Sequence, residues 1–306
     1  MSASAGFHGV CALSACGVDP SFPAALCVLA SGSTGNCSAL VVRGDDAVIL
    51  IDAGLSPSRT RRDLTRRGID PDRVRDIVFT HLDTDHCHPG WARAIRRPSW
   101  RATLHIHERH IGRAQRSGLL GARTERFGDA HAVSRRVRLS TRVLAHDSLG
   151  VAALRFEVHA GDGREAHLGL ATDVGRVTPA LIEHMRGVDC LAIESNYDPS
   201  LQRASGRPRA LQDRIMNGSG HLSNAQSAHA VRRIAPRESV LLLHLSRQCN
   251  TPELARAEHD HAPLPCLITD PYAPSHWVPI RGSWRPAGVP RVAPSQGLLF
   301  ASEHDR

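Results

Sequence analysis

Between His81 and His88 the chain places three histidines and two aspartates in eight residues, within the stretch FTHLDTDHCHPG. Imidazoles and carboxylates are ligands for zinc and for harder divalent ions. In an extended chain residues 81 and 83 point to one side, because side chains alternate with a period of two. Asp85 and His86 then fall at the turn into a helix that starts near Asp85 or Pro89. Two pairs of donors aimed at adjacent points can serve two ions about 3.5–4 Å apart, the spacing used to hydrolyse phosphoesters and activated esters. A polar helix start capped by aspartate accounts for one Asp but not for three neighbouring histidines.

One loop cannot close two sites, so further ligands must come from strand ends elsewhere. Three candidates each follow an apolar run: His146 after RVLA, Asp173 after HLGLAT and His244 after SVLLL. The elements that must position them are readable from apolar runs and breakers. LCVLA, CSALVV and AVILIDAG read as antiparallel strands, with the turn SGSTGN between the first two. DIVFTH is a buried strand that delivers the chain to His81. PSRTRRDLTRRG is a helix with a basic face and a glycine stop. LHIHE is a strand and RHIGRAQRSG a helix, which makes His105, His107 and His110 strand and helix surface residues. VAALRFEVHA and AHLGLATD pair as strands, TPALIEHMRG is a Thr-capped helix and CLAIES another strand. Ser223 and Gln226 form a capping box for a helix with Ala225, Ala228, Val231 and Ile234 spaced by three. SVLLLHLS is a buried strand ending at His244. Two β-rich halves with helices between them imply an α/β sandwich, two sheets with helices outside. Residues 1–24 and 282–306 are rich in small residues, Gly and Pro and read as tails, leaving 25–281 as the domain.

The net charge is +8, and all 38 basic residues are arginine. Part of that bias belongs to nucleotide composition; the rest suits an anionic partner, since guanidinium grips phosphate in a bidentate way. With only four Trp, two Tyr and six Phe, backbone-phosphate contact is favoured over base stacking. No apolar run approaches a membrane span and no signal peptide is evident, which points to a soluble, cytoplasmic protein. The eight cysteines form no CxxC pair and read as buried thiols, except Cys87 inside the opening motif.

The chain resembles the metallo-β-lactamase superfamily over roughly residues 26–281. The resemblance rests on five motifs in order: Asp52 in LIDAG, the loop His81–His86, His146 in AHDS, Asp173 in ATDVG and His244 in LLLHLS. The stretches LASGSTGNCSALVV, IDAGLS, ATDVGRV, ESNYD, GHLSNAQSA and HLSRQCNTPELA are most similar to its YycJ-like (WalJ) branch of small exonuclease-like proteins. The resemblance implies an αββα sandwich of two mixed sheets flanked by helices, with two divalent ions, zinc or manganese, between the sheets. It implies that His81, Asp83 and His146 hold one ion, that Asp85, His86 and His244 hold the other, and that Asp173 bridges them. A hydroxide between the ions would attack phosphorus in nucleic acid, DNA before RNA, as in an exonuclease. Other members of the fold act on small molecules such as cyclic phosphodiesters, lactones or thioesters, so that alternative stays open. Asp52 would orient the ligand loop, with Glu194 and Asn196 also behind the ligands.

Asp83 stands where this branch commonly has His; carboxylate oxygen is a legitimate ligand, and Cys87 or His88 is the alternative. Asp85 and His221 are the candidate catalytic residues. His221 precedes a helix N-terminus, which attracts phosphate, and is expected to contact the scissile phosphate or protonate the leaving oxygen, with Ser223 as cap. A purely structural cap and turn is the other possibility. Asn36 is either in a plain hairpin turn or a substrate contact. Arg207, Arg209 and Arg214 are expected in a loop bordering the site, holding the nucleic-acid backbone.

Overall fold

The structure, a computed structural model, describes residues 12–121, 123–260 and 264–284. The first sheet begins with an antiparallel meander of β1 (Ala24–Ala30), β2 (Cys37–Val42) and β3 (Val48–Ile51). To this, β4 (Val74–Val78), β5 (Thr103–His107) and β6 (Thr124–Phe127) add in parallel. The second sheet starts with antiparallel β7 (Ala130–Ala132), β8 (Val137–Leu144), β9 (Val151–His159) and β10 (Arg164–Ala171). It continues in parallel through β11 (Cys190–Glu194), β12 (Ser239–Leu243) and β13 (Cys266–Ile268). The chain then returns: β14 (Val278–Ile280) pairs with β1, and β15 (Ser283–Trp284) with β10. Both sheets are mixed, as expected.

Period-two alternation explains how strands that are apolar throughout serve two cores. In β1, Leu26 and Val28 face the second sheet, meeting Leu154, Phe156 and Leu168, while Cys27 and Leu29 face outward. That outer face is covered by α1 (Ala12–Ala15), α2 (Pro57–Arg66), α3 (Trp91–Ala94) and α4 (Ile111–Arg116), through Leu13, Leu64, Trp91 and Ala114. On the second sheet, α5 (Pro179–Met185) contributes Leu181 and Met185. The segments α6 (Pro199–Ala204) and α7 (Arg209–Arg214) lead to α8 (Asn224–Ile234), whose Ala230, Val231 and Ile234 join the same cluster with Ala255 of α9 (Pro252–His259). Among the described residues no helix is long and apolar enough to cross a membrane.

Four expectations change. The tail assigned to residues 1–24 includes α1, whose Ala12 and Leu13 are fully buried, because two adjacent apolar side chains cap the first sheet's outer core. Residues 283–284, assigned to the other tail, form β15; residues 1–11 and 285–306 lie outside the described residues. The helix expected from Asp85 or Pro89 starts at Trp91, because residues 83–87 close a tight turn in which the His86 and Cys87 N–H groups both donate to the Asp83 carbonyl. His105, His107 and His110 are buried, not surface residues. The polar alternation in LHIHE marks a sheet face, and here that face looks into the space between two sheets.

Candidate metal centre

The site gathers where strands end at their carboxyl termini. Asp52 follows β3, His81 and the ligand loop follow β4, His146 follows β8, Asp173 follows β10 and His244 follows β12. Three of these turns are made by residues in the left-handed backbone region: Asp52, Asp173 and His244 have φ of 58°, 56° and 57°. Such a conformation costs a non-glycine residue on the order of 1 kcal/mol or more and persists only where the surroundings enforce it. Here it swings each side chain off the strand and into the gap between the sheets.

Two groups of donors result. His81 Nε2 and His146 Nε2 lie 3.8 and 3.9 Å from Asp83 Oδ2. His86 Nε2 and His244 Nε2 lie 3.8 and 3.9 Å from Asp85 Oδ2. Asp173 sits between them, with Oδ2 2.8 Å from His86 Nε2 and Oδ1 3.6 Å from His244 Nδ1. The His81 and His86 rings are 4.1 Å apart, so the two groups are contiguous. Three carboxylates and four imidazoles thus converge in a largely buried space. His244 Nε2 is buried with no hydrogen-bond partner among the described residues, as a lone pair reserved for a cation would be. Burial holds His81 well below the usual imidazole range, which favours the neutral, ligand-competent form. Burial also opposes protonation of His86, but the Asp173 and Asp52 carboxylates outweigh it and raise this imidazole well above its usual range. These buried His/Asp/Glu clusters fit a binuclear metal centre.

A polar frame fixes the donors. Asp52 Oδ2 lies 2.7 Å from His86 Nδ1 and also accepts the Thr80 hydroxyl, which orients the ring with Nε2 toward the centre. Glu194, fully buried at the end of β11, accepts the backbone N–H groups of Asp173, Val174 and Leu222 at 3.1, 2.8 and 2.9 Å. Asn196 donates to the His244 carbonyl at 2.6 Å, and the His244 N–H donates to the Ser31 hydroxyl at 2.8 Å.

Backbone contacts hold the ligand loop just as closely. Asn36 N–H donates to the Asp85 carbonyl, Ala53 N–H to the His86 carbonyl and His88 N–H to the Ala53 carbonyl, at 2.7, 2.7 and 2.9 Å. A β-carbon on Gly54 would stand 1.7 Å from the Asp85 carbonyl oxygen, so only glycine fits there. Asn36 is buried and spends its amide on Gly32, the Asp85 carbonyl and His86 Nε2. Its place is inside the cradle of the ligand loop, and the turn SGSTGN is part of that cradle.

His221 stands just before α8, with Nδ1 3.1 Å from Glu194 Oε2 and 3.5 Å from Asp173 Oδ1. Burial pulls this imidazole down, but Glu194, then Asp173 and Asp85, push it up to about 9. Ser223 is the N-cap of α8, in the expected reciprocal box with Gln226. Cys87 pairs with Ala53 in an isolated bridge and belongs to the outer core, its thiol pushed up to about 12 by burial. His88 Nδ1 accepts the Gly90 N–H at 3.0 Å. Asp83 is the residue brought beside His81 and His146. Two residues near the centre escaped the sequence reading: Thr80, and Arg113 of α4, whose Nη1 is 2.5 Å from Asp83 Oδ1 and 3.6 Å from Asp147 Oδ2. Nothing in the sequence pairs residue 113 with residue 83. The segment expected to be a loop carrying Arg207, Arg209 and Arg214 is in part helical. Arg207 bonds Gln248 and Gln202, while exposed Arg209, 3.6 Å from Asp213, and Arg214 lie on α7.

The sequence profile of the Metallo-beta-lactamase superfamily matches residues 32–183. Over 240 residues the chain is 30% identical to exodeoxyribonuclease YycJ of Bacillus anthracis, which spans 75% of this chain and 85% of that protein. It is 27% identical over 241 residues to exodeoxyribonuclease WalJ of Streptococcus pneumoniae serotype 2, spanning 74% and 84%. Zn(2+)-bound PqqB of Methylobacterium extorquens superposes with a TM-score of 0.61 over 82% of this chain and 99% of that one, at 14% identity, a likeness of fold.

Proposed function

We propose, from the metallo-beta-lactamase superfamily to which the chain belongs and from its paired donor groups, that this hydrolase is a metal-dependent phosphodiesterase that degrades DNA from a chain end. The observation that carries the proposal is the meeting of His81, Asp83 and His146 with Asp85, His86 and His244 around the shared Asp173. In this proposal His81, Asp83 and His146 would hold one divalent ion, zinc or manganese, and Asp85, His86 and His244 a second, with Asp173 completing the donor set. When bound, two divalent ions supply an activated water and neutralise charge building on a phosphoryl group. The protein's own part is positional. Asp52 and Thr80 hold His86, Glu194 holds the Asp173 turn, and Asn196 holds His244. In this reading His221, just ahead of α8 and beside Glu194 and Asp173, meets the phosphate or gives its proton to the leaving oxygen, and Ser223 keeps that helix start formed. The exposed Arg209 and Arg214 are available to the phosphate backbone, in keeping with the net charge of +8. The relatives named exodeoxyribonucleases support DNA as substrate.

The test is digestion of linear DNA, labelled at the 5′ or the 3′ end, in the presence of manganese, with Asp173→Ala beside the parent. Mononucleotide release by the parent and its loss by at least a hundredfold in the variant are expected. Equal activity in the two proteins overturns the metal assignment. No release from either label, with turnover of a small phosphodiester, moves the substrate to the small-molecule class.

A further inference from the structure

Away from this centre, a second group of donors joins the open edges of the two sheets. His105 on β5 and Glu125 on β6 are register partners in parallel strands, so their side chains leave the same face side by side. The chain then crosses to the other sheet within two residues, Gly128 and Asp129, and β7 brings His131 back over them. His105 Nδ1 is 2.8 Å from His131 Nε2, and Glu125 Oε2 lies 3.4 Å from His131 Nε2 and 3.7 Å from His105 Nδ1. Behind them, Asp76 Oδ1 is 2.8 Å from His105 Nε2.

We propose that His105, Glu125 and His131 form a third metal site, of the zinc class, that clips the two sheets together. The Asp76 carboxylate can only accept, so it fixes the His105 hydrogen on Nε2 and leaves Nδ1 as a bare lone pair aimed at the group. This carboxylate–imidazole arrangement is what orients and strengthens a histidine ligand. Ligands about 2.0–2.1 Å from a tetrahedral ion stand about 3.3 Å from one another. The two edges to Glu125 are already near that length. The third, between the imidazoles, opens by about half an ångström as the ion replaces their shared hydrogen. No proton need leave the protein, because His131 can carry its hydrogen on Nδ1 instead. His105 is buried, His131 is 14% exposed and Glu125 54% exposed, so the site has a solvent side for entry and for a fourth, water ligand. Two neutral imidazoles and one carboxylate give a donor set suited to zinc.

The test counts zinc per chain in full-length protein after zinc loading and exhaustive dialysis, in the parent and in Asp173→Ala, each with and without His131→Ala or Glu125→Gln. The expected result is one equivalent that depends on His131 and Glu125 in both backgrounds, with DNA digestion unchanged when only these two residues are altered. Because the readout is a difference at positions outside the proposed catalytic centre, it stands whether or not that centre acts on DNA. Equal zinc with and without the substitutions overturns the proposal and leaves a hydrogen-bonded histidine pair. If His131→Ala does not fold, the exposed Glu125→Gln decides by the same count, and full retention of zinc there also overturns it.

Discussion

Asp83 is the proposed ligand position where the residue type itself is the open variable. Its Oδ2 faces His81 and His146 while its Oδ1 is taken by Arg113, so the carboxylate is divided between a metal position and a guanidinium. A histidine at 83 would offer one nitrogen and no acceptor for Arg113. Asp83→Ala is therefore expected to cost one of two metal equivalents at the centre, and Asp83→His to retain both, by elemental analysis of dialysed protein. Full metal content in Asp83→Ala would remove this residue from the ligand set. The seven donors were legible because histidine and aspartate at the ends of apolar runs are rare enough to stand out. Arg113 and Thr80 were not: one depends on how α4 lies against the loop, the other is an ordinary residue made important by Asp52. The histidines of β5 were misjudged because alternation reveals that a face is polar but not what covers it.

At the scale of elements, the strands and the capped start of α8 were legible from apolar runs and from Ser223 and Gln226. What escaped was the cradle made by residues 35–36 and 53–54, since main-chain contacts leave no trace in sequence beyond a glycine. Gly54 carries the sharpest consequence. Replacing it with alanine puts a methyl group into the Asp85 carbonyl, and the loop must move by more than an ångström. Gly54→Ala is expected to lose metal binding together with a fall in thermal midpoint, although no ligand has been altered. Retention of full metal content at an unchanged midpoint would show that the loop does not need this close approach.

For the whole molecule, a sandwich with two mixed sheets was legible because its strands are apolar on both faces and its helices on one. The closing roles of α1 and β15 were not, as both are too short for any period to show. Acid stability is also a property of the assembled layers. His184, near the end of α5, is pulled down to about 4 by burial, with Arg155 and Arg142 adding to it. The unfolded chain binds a proton here below about 6.5, while the folded protein resists until about 4. Stability from this group is therefore present above pH 6.5 and is lost as pH falls through that window. His184→Gln is expected to flatten the acid limb of stability between pH 6.5 and 4, measured by urea midpoints. An unchanged limb would place the acid sensitivity elsewhere.

The donors come from both halves of the chain, and His244, at the end of β12, is the last of them in sequence. During synthesis, a chain emerging from the ribosome therefore holds Asp52, the loop and Asp173 long before the centre can be completed. Each of the two sheets, taken alone, offers only part of a ligand set. The newly made protein has no finished centre until His244 has left the exit tunnel, so the assembly of its fold is also the safety catch on its chemistry.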